Sequence, residues 1–116
     1  MKKNKILILG ASGFIGRNIA IFFSKKGNFS VTGTFLKRKI SIKNVKMLKC
    51  DLTKKNDVDR IIKGTDIIVQ AAATTSGAKD IIEKPYLHVN DNAIINSMVT
   101  RSAYDNKVKH VLVFSC

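Results

Sequence analysis

The feature that most constrains this 116-residue chain is a set of three glycines directly after a short apolar run. The run is Ile6–Leu9, and Gly10, Gly13 and Gly16 follow with the spacing G-x-x-G-x-x-G. An amphipathic segment comes next, so the glycines are predicted to form the turn between a buried strand and a helix. Such a turn exposes backbone N–H groups at a helix N-terminus, which suits the pyrophosphate of a dinucleotide. The spacing alone also fits an ordinary strand-to-helix turn, so the prediction depends on the rest of the chain.

The rest of the chain alternates apolar strand-like segments with segments of helical periodicity. Strands are predicted over residues 6–9, 30–35, 45–50, 66–70 and 110–114. Helices are predicted from about Ile15 to Lys26, from residues 51–53 to Gly64, and from Tyr86 to Asn106. This alternation predicts an α/β fold, a Rossmann-like parallel sheet with helices on both faces. Because the chain stops at an uncovered fifth strand, we expect residues 1–116 to be the N-terminal part of a longer dinucleotide-binding protein.

Helical spacing also predicts which side chains face the sheet. In the first helix the predicted inner face is Ile15, Ile19, Phe22 and Phe23. In the short helix it is Val58, Ile61 and Ile62. In the long helix it is Ile94, Ile95, Met98, Val99, Ser102 and Ala103.

Composition argues against several other classes of function. The formal net charge is +13, but 17 of the 21 cations are lysines scattered along the chain, so no nucleic-acid interface is expected. DNA binding through charge alone is kept as a third hypothesis, and it predicts strong salt dependence. We find neither 18 consecutive apolar residues nor a signal-peptide core, so a cytoplasmic protein without a membrane partner is expected. Cys50 and Cys116 have no partner at ligand spacing, and neither a disulfide nor a metal site is predicted.

Side chains at the end of the second predicted strand bear on the choice of cofactor. In dinucleotide-binding sheets an acid at this place binds the adenine ribose of NAD, whereas a nearby Arg or Lys accommodates the 2′-phosphate of NADP. Phe35 stands there in this chain, and Lys37 and Arg38 follow. We therefore expect NADP, with NAD as the alternative, because a solvated basic loop would have the same sequence.

Two further strand ends are predicted to lie at the same edge of the sheet as the glycines. Asp51 follows the third strand, where its carboxylate either accepts a hydrogen bond from an adenine amino group or caps the next helix. The small residues Ala71–Ala73 follow the fourth strand and leave room for a flat ring against the backbone.

Together these motifs resemble the extended short-chain dehydrogenase/reductases, and more narrowly the NAD-dependent epimerase/dehydratase family that acts on nucleotide sugars. The resemblance rests on residues 10–16, 50–52 and 66–73 and on Asn92 in the long helix, and it covers essentially the whole chain. It implies an enzyme that exchanges a hydride with a carbon of a nucleotide sugar, as an epimerase, dehydratase or reductase. By analogy with the family it also implies a homodimer.

The resemblance implies a set of cofactor contacts. For the pyrophosphate they are Gly10, Ser12, Gly13, Phe14, Ile15 and Gly16. For the 2′-phosphate they are Lys37 and Arg38, and for the adenine Asp51 and Leu52. For the ribose and nicotinamide side they are Ala71, Ala72, Ala73 and Thr75, with Asn92 near the active site.

The chain departs from the family at the catalytic residues. The family uses a Tyr-x-x-x-Lys pair, but neither Tyr86 nor Tyr104 has a lysine four positions later. Ser115 or Cys116 falls where the family has its hydroxyl residue. The resemblance therefore places the catalytic pair and the substrate region beyond residue 116. A non-catalytic NADP-sensing or regulatory protein of the same fold stays open as the alternative.

Overall fold

The structure is a computed structural model that describes residues 3–72 and 85–113, without the side chains of residues 85–92. The described residues form five strands and three helices. The strands are β1 (Asn4–Leu9), β2 (Phe29–Phe35), β3 (Val45–Lys49), β4 (Ile67–Gln70) and β5 (His110–Val113). The helices are α1 (Phe14–Ser24), α2 (Lys55–Ile62) and α3 (Pro85–Asp105).

The five strands form one parallel sheet in the order β3-β2-β1-β4-β5. The central strand β1 pairs Ile6 with Val31 of β2 on one side and with Ile67 of β4 on the other. The chain thus moves outward from β1 through β2 and β3, then returns to continue on the opposite side. This reversal opens a crevice at the carboxyl ends of β1 and β4, where sheets of this type bind ligands. The predicted α/β fold with a Rossmann-like sheet is confirmed.

The core has two halves, one on each face of the sheet, because successive side chains of β1 point to opposite faces. Leu7 and Leu9 pack in the half covered by α2 and α3, whereas Ile6 and Ile8 pack in the half covered by α1. All four side chains are at most 2% exposed. Burial on both faces explains why β1 is a continuous apolar run rather than an alternating one.

The predicted inner face of α1 is wrong at two of its four positions, because the helix is rotated about its axis relative to the prediction. Ile15 and Phe22 are 44% and 54% exposed, whereas Gly16 and Ala20 are buried. Ile19 and Phe23 pack against the core, as predicted. Helical spacing is ambiguous here because α1 is apolar on most sides. The close contact of Gly16 with the end of β1, described below, decides the rotation.

The predicted inner faces of the other two helices are confirmed, apart from one position in α3. The face of α2 is buried as predicted, but α2 begins at Lys55, so residues 51–53 precede the helix rather than open it. In α3, Ile94 is 45% exposed, while the other predicted core residues are buried or partly buried. Although α3 has 21 residues, no helix within residues 3–72 and 85–113 is both long and apolar enough to span a membrane.

Two of the three glycines are required by the fold itself. Gly10 has φ +81°, and a Cβ on it would lie 2.6 Å from the Cα of Ala72. A Cβ on Gly16 would overlap the carbonyl oxygen of Gly10 and lie 3.0 Å from the Cα of Ala11. Both clashes are with backbone atoms, which cannot move aside as the end of a side chain can. The start of α1 therefore packs directly on the end of β1.

We expect the substitution Gly16→Ala to lower the free energy of unfolding by more than about 2 kcal/mol, because the added methyl overlaps the backbone of Gly10. The matched control is Gly27→Ala, where a Cβ meets nothing within 4 Å. This control should stay within about 1 kcal/mol of the wild type. Urea unfolding of the three proteins measures the difference. Equal unfolding midpoints for the two variants would contradict the packing at Gly16.

Candidate dinucleotide site

The turn between β1 and α1 ends in a helix N-terminus that is capped by no side chain among the residues that the structure describes. The amide of Gly13 donates to the carbonyl of Gly10 over 3.1 Å, and the amide of Arg17 donates to the carbonyl of Gly13 over 2.9 Å. The amides of residues 14–16 precede this first helical hydrogen bond and have no acceptor within the helix. Gly13 is the N-cap residue and makes no side-chain cap, and the first turn contains no acidic residue. These free N–H donors and the positive end of the helix dipole favour an anion.

Gly13 differs from the other two glycines in having no packing reason to be glycine. Its φ is −81°, which any residue adopts, and among residues 3–72 and 93–113 a Cβ would meet only the carbonyl oxygen of Gly10, at an ordinary distance of 3.5 Å. Gly13 is exposed, so the space in front of it is open. A bare backbone at this place is what a closely approaching ligand requires.

Thr34 at the end of β2 holds the first part of the turn. Its Oγ1 accepts a hydrogen bond from the amide of Gly10 at 3.0 Å, and its carbonyl accepts one from the amide of Ala11 at 2.9 Å. The side chain is only 1% exposed. Thr34 was not among the predicted site residues. The available signal was a hydroxyl on a buried strand, but threonine is common in strands and the signal is weak.

Gln70 at the end of β4 holds the opposite wall of the site. Its Oε1 accepts from the amide of Ala72 at 3.0 Å, and its Nε2 donates to Oδ1 of Asn96 on α3 at 3.1 Å. Gln70 is 1% exposed. Neither Gln70 nor Asn96 was predicted, although a glutamine inside an otherwise apolar strand indicates a buried polar contact.

The structure brings five of the predicted contacts together around one cleft at the carboxyl edge of the sheet. These are Gly10, Ser12, Asp51, Leu52 and Ala72, joined by Thr34, Phe35, Leu36, Cys50, Thr53 and Ile95. The cleft has a volume of about 130 Å³. Pockets that enclose a drug-sized ligand typically measure about 300–1,000 Å³, so this cleft accommodates only one part of a dinucleotide.

Asp51 presents an ionised carboxylate at the wall of this cleft. Its Oδ1 accepts hydrogen bonds from the amide of Thr53 at 3.0 Å and from the hydroxyl of Thr53 at 2.6 Å. These two hydrogen bonds lower the pKa of Asp51 below its ordinary value. The N-cap of α2 is Lys54, so the predicted role of Asp51 as the helix cap is wrong. Within the described chain its Oδ2 makes no hydrogen bond, which leaves this oxygen available as an acceptor.

The thiol of Cys50 contributes an uncharged surface beside Asp51. Cys50 is a free cysteine and 2% exposed. Burial, with a smaller contribution from the nearby carboxylate of Asp57, raises its pKa to about 12. The thiol therefore stays protonated near neutral pH and acts as a small apolar group.

The basic loop after β2 lies outside the cleft. Lys37 and Arg38 are both exposed, and neither forms a hydrogen bond or ion pair with another residue in the described ranges. Phe35 and Leu36 occupy the cleft wall at the end of β2, so no carboxylate stands there. Both cations thus lack a partner among the described residues, and Lys37 directly follows Leu36, which lines the cleft.

The remaining predicted contacts are only partly placed. Phe14 and Ile15 are exposed at the start of α1, with Phe14 84% exposed, and their amides have no acceptor within the helix. Ala71 is partly buried, and its amide donates to the carbonyl of Leu9 at 3.0 Å. The predicted site residues that lie outside the described part of the chain are Ala73, Thr75, Ser115, Cys116 and the side chain of Asn92.

Larger clefts occur elsewhere on the described surface. One of about 380 Å³ lies beside α1 and is lined by Arg17, Lys25 and Lys43, among others. It lacks the free amides of a helix start, so we place the candidate site by its chemistry rather than by its size.

Comparisons with known proteins bear on the family and the fold. The sequence matches the NAD dependent epimerase/dehydratase family over residues 6–116. The fold is similar to that of a mutant uronate dehydrogenase from Agrobacterium tumefaciens complexed with NAD, with a TM-score of 0.78 and 21% identity over 97% of this chain and 41% of that one. The comparison with curated proteins gives no match.

Two epimerases have similar structures. UDP-glucose 4-epimerase from Bifidobacterium longum, in complex with NAD+ and UDP, has a TM-score of 0.81 and 18% identity over 97% of this chain and 37% of that one. UDP-N-acetylglucosamine 4-epimerase from Methanobrevibacter ruminantium, in complex with UDP-N-acetylmuramic acid, has a TM-score of 0.76 and 23% identity over 96% and 37%. The chain thus spans about two-fifths of the length of these enzymes. Because the family match extends from residue 6 to the last residue, the chain belongs to the NAD dependent epimerase/dehydratase family.

Proposed function

We propose that this chain is the cofactor-binding N-terminal part of an NAD(P)-dependent enzyme that acts on nucleotide sugars as an epimerase, dehydratase or reductase. The observation that carries the proposal is the uncapped start of α1, with an open backbone at Gly13. A nicotinamide cofactor bound there would supply hydride transfer to or from a sugar carbon. The nucleotide-sugar part of the proposal is supported by the two epimerases, which were solved with UDP and with UDP-N-acetylmuramic acid.

The residues present fit such a cofactor. We assign the pyrophosphate to the free amides at the start of α1 and the adenine to the cleft wall formed by Asp51 and Leu52. The free carboxylate oxygen of Asp51 would accept a hydrogen bond from the adenine amino group. Ala71–Ala73 and Thr75 are assigned to the ribose and nicotinamide side, and Asn92 to the neighbourhood of the reacting carbon, as the family resemblance implies.

We propose NADP as the preferred cofactor. Phe35 places no carboxylate where it would repel a 2′-phosphate, and the exposed side chains of Lys37 and Arg38 are free to approach it. A guanidinium can bind a phosphate with two parallel hydrogen bonds, which adds both attraction and geometry.

The rest of the enzyme is proposed from the family. We place the Tyr-x-x-x-Lys pair and the sugar-binding residues outside residues 1–116, and we expect a cytoplasmic enzyme that forms a homodimer. A regulatory protein that senses NADP would share the cofactor site and lack the pair. Sequencing the coding region downstream of residue 116 distinguishes the two.

The substitution Gly13→Val should abolish cofactor binding, because its side chain would occupy the space in front of the free amides. The fold should survive, with a loss of about 1 kcal/mol for the poorer N-cap residue, since a Cβ at Gly13 meets only an ordinary contact. Isothermal titration calorimetry with NADPH and with NADH measures binding, and urea unfolding measures stability.

The matched control for this experiment is Gly27→Val, which adds the same side chain at an open glycine away from the turn. It should bind both nucleotides as the wild type does. Wild-type affinity in the Gly13→Val protein would refute the assignment of the pyrophosphate to this turn.

We expect Arg38→Ala to weaken NADPH binding about five- to tenfold, because the charge-assisted contact of the guanidinium with the 2′-phosphate is lost at an exposed, solvent-screened site. NADH binding should change less than twofold, since NADH has no 2′-phosphate. The control Lys63→Ala removes the same charge from an exposed position in a different cleft, beside Ser30 and Thr32 rather than beside the end of β2. Equal losses of affinity for NADPH in the two variants would show that only the overall charge matters.

The hydrogen bonds from Thr53 should control the ionisation of Asp51. In the folded protein the pKa of Asp51 lies below its ordinary value. The ionised carboxylate therefore contributes to the free energy of unfolding at any pH above the ordinary pKa, and this contribution is lost as the pH falls through the folded pKa. Thr53→Val removes the hydroxyl donor and should move the pKa of Asp51 upward. Carboxyl carbon NMR during an acid titration measures it, and an unchanged midpoint would contradict the hydrogen bond at 2.6 Å.

A further inference from the structure

The turn that carries the proposed cofactor site lies between two buried polar side chains on the neighbouring strands. Thr34 of β2 accepts a hydrogen bond from the turn itself, and Gln70 of β4 accepts one from Ala72, on which the turn packs. Each side chain is 1% exposed. A buried hydroxyl and a buried amide are costly unless their hydrogen bonds are made. Oγ1 of Thr34 and Oε1 of Gln70 each accept a hydrogen bond from a backbone amide at the edge of the site.

Thr34 acts where the regular pairing of β1 and β2 stops. The last paired positions are Ile8 and Gly33, and beyond them the chain turns away into the left-handed conformation of Gly10. The side-chain oxygen of Thr34 accepts the hydrogen bond of the Gly10 amide, and the carbonyl of the same residue accepts that of Ala11. One residue thereby fixes two successive amides of the turn.

Gln70 fixes the wall against which this turn packs. It holds the amide of Ala72, whose Cα would lie only 2.6 Å from a Cβ on Gly10. The other end of the Gln70 side chain is held by Asn96 on α3. The backbone at Gly10 therefore lies between Thr34, whose side chain binds its amide, and Ala72, whose own amide is held by Gln70.

We propose that Thr34 and Gln70 are positioning residues for the cofactor, acting through the backbone conformation at Gly10. The Gly10 amide, which Thr34 Oγ1 holds, and the Gly10 carbonyl belong to two successive peptides that meet at the Gly10 Cα. That carbonyl accepts the hydrogen bond of the Gly13 amide and lies directly beneath Gly16. A change in the torsion angles of Gly10 therefore displaces the start of α1 and the free amides with it. Because hydrogen bonds weaken steeply with distance and angle, a small displacement weakens phosphate binding. This inference rests on the proposed function.

The test compares Thr34→Val, which removes the hydroxyl and keeps the shape, with Thr34→Ser, which keeps the hydroxyl. NADPH affinity is measured by calorimetry on the 116-residue chain, at a temperature where every variant is fully folded. Thr34→Val should bind about tenfold more weakly than the wild type, and Thr34→Ser should bind within threefold of it. Ile62→Val supplies a control with the fold destabilised in α2, far along the chain from the turn, and should bind as the wild type does.

A second readout separates positioning from stability alone. The amide of Gly10 loses its acceptor in Thr34→Val, so its proton resonance in a ¹H–¹⁵N spectrum should move upfield, and its hydrogen exchange should accelerate relative to that of Ile62→Val. Should Thr34→Val fail to fold, Gln70→Met removes the other anchor at similar volume. It should weaken NADPH binding at least fivefold.

The outcomes distinguish the two proposals. Wild-type protein that binds neither NADPH nor NADH would overturn the proposed function and this inference with it. Wild-type protein that binds, together with a folded Thr34→Val or Gln70→Met protein of unchanged affinity, would overturn only the positioning role. Rescue of affinity by Thr34→Ser and loss in both other variants would support it.

Discussion

The contact between the start of α1 and the end of β1 determines most of what surrounds it. Gly16 lies so close to the carbonyl of Gly10 that even one methyl group has no room. This contact sets the rotation of α1, so that Gly16 and Ala20 face the sheet while Phe22 faces outward. It also places the first amides of α1 over the switch point of the sheet, where β1 lies between β2 and β4. A helix seated farther away would leave these amides out of reach of the cleft.

The architecture could be predicted from the sequence because its signals are local. The central strands β1 and β4 contain short apolar runs, β2 and β3 mix apolar with polar residues, and each helix has an apolar face or a terminating residue. The rotation of α1 could not be predicted from periodicity, because Ile15, Ile19, Phe22 and Phe23 offer two overlapping apolar faces. The physical signal was Gly16, since the residue that touches the strand must belong to the inner face. The start of α2 was predicted too early because aspartate is a common N-cap residue of helices. In the structure, Asp51 instead accepts two hydrogen bonds from Thr53 within a turn that precedes the helix.

The candidate site was predictable where strand ends define it and unpredictable where side chains reach backbone. Gly10, Asp51 and Ala72 each follow a strand, so parallel pairing brings them to one edge. The contact of Thr34 with Gly10 joins residues 24 positions apart and involves a backbone amide, which carries no sequence signal of its own. A polar residue within a buried strand indicates that some partner exists, but only the register of the sheet identifies which one.

The separate physical roles of the glycines bear on cofactor choice. Gly10 and Gly16 serve the fold, and Gly13 leaves the approach to the amides open. In the proposed site these amides would contact a pyrophosphate through backbone alone, and NAD and NADP share that pyrophosphate. The free amides at the start of α1 therefore cannot discriminate between NAD and NADP. Discrimination has to come from side chains at the end of β2, where Phe35 carries no charge and the cations of Lys37 and Arg38 follow. A preference for NADP would thus arise in an exposed loop that the packing of the fold does not constrain.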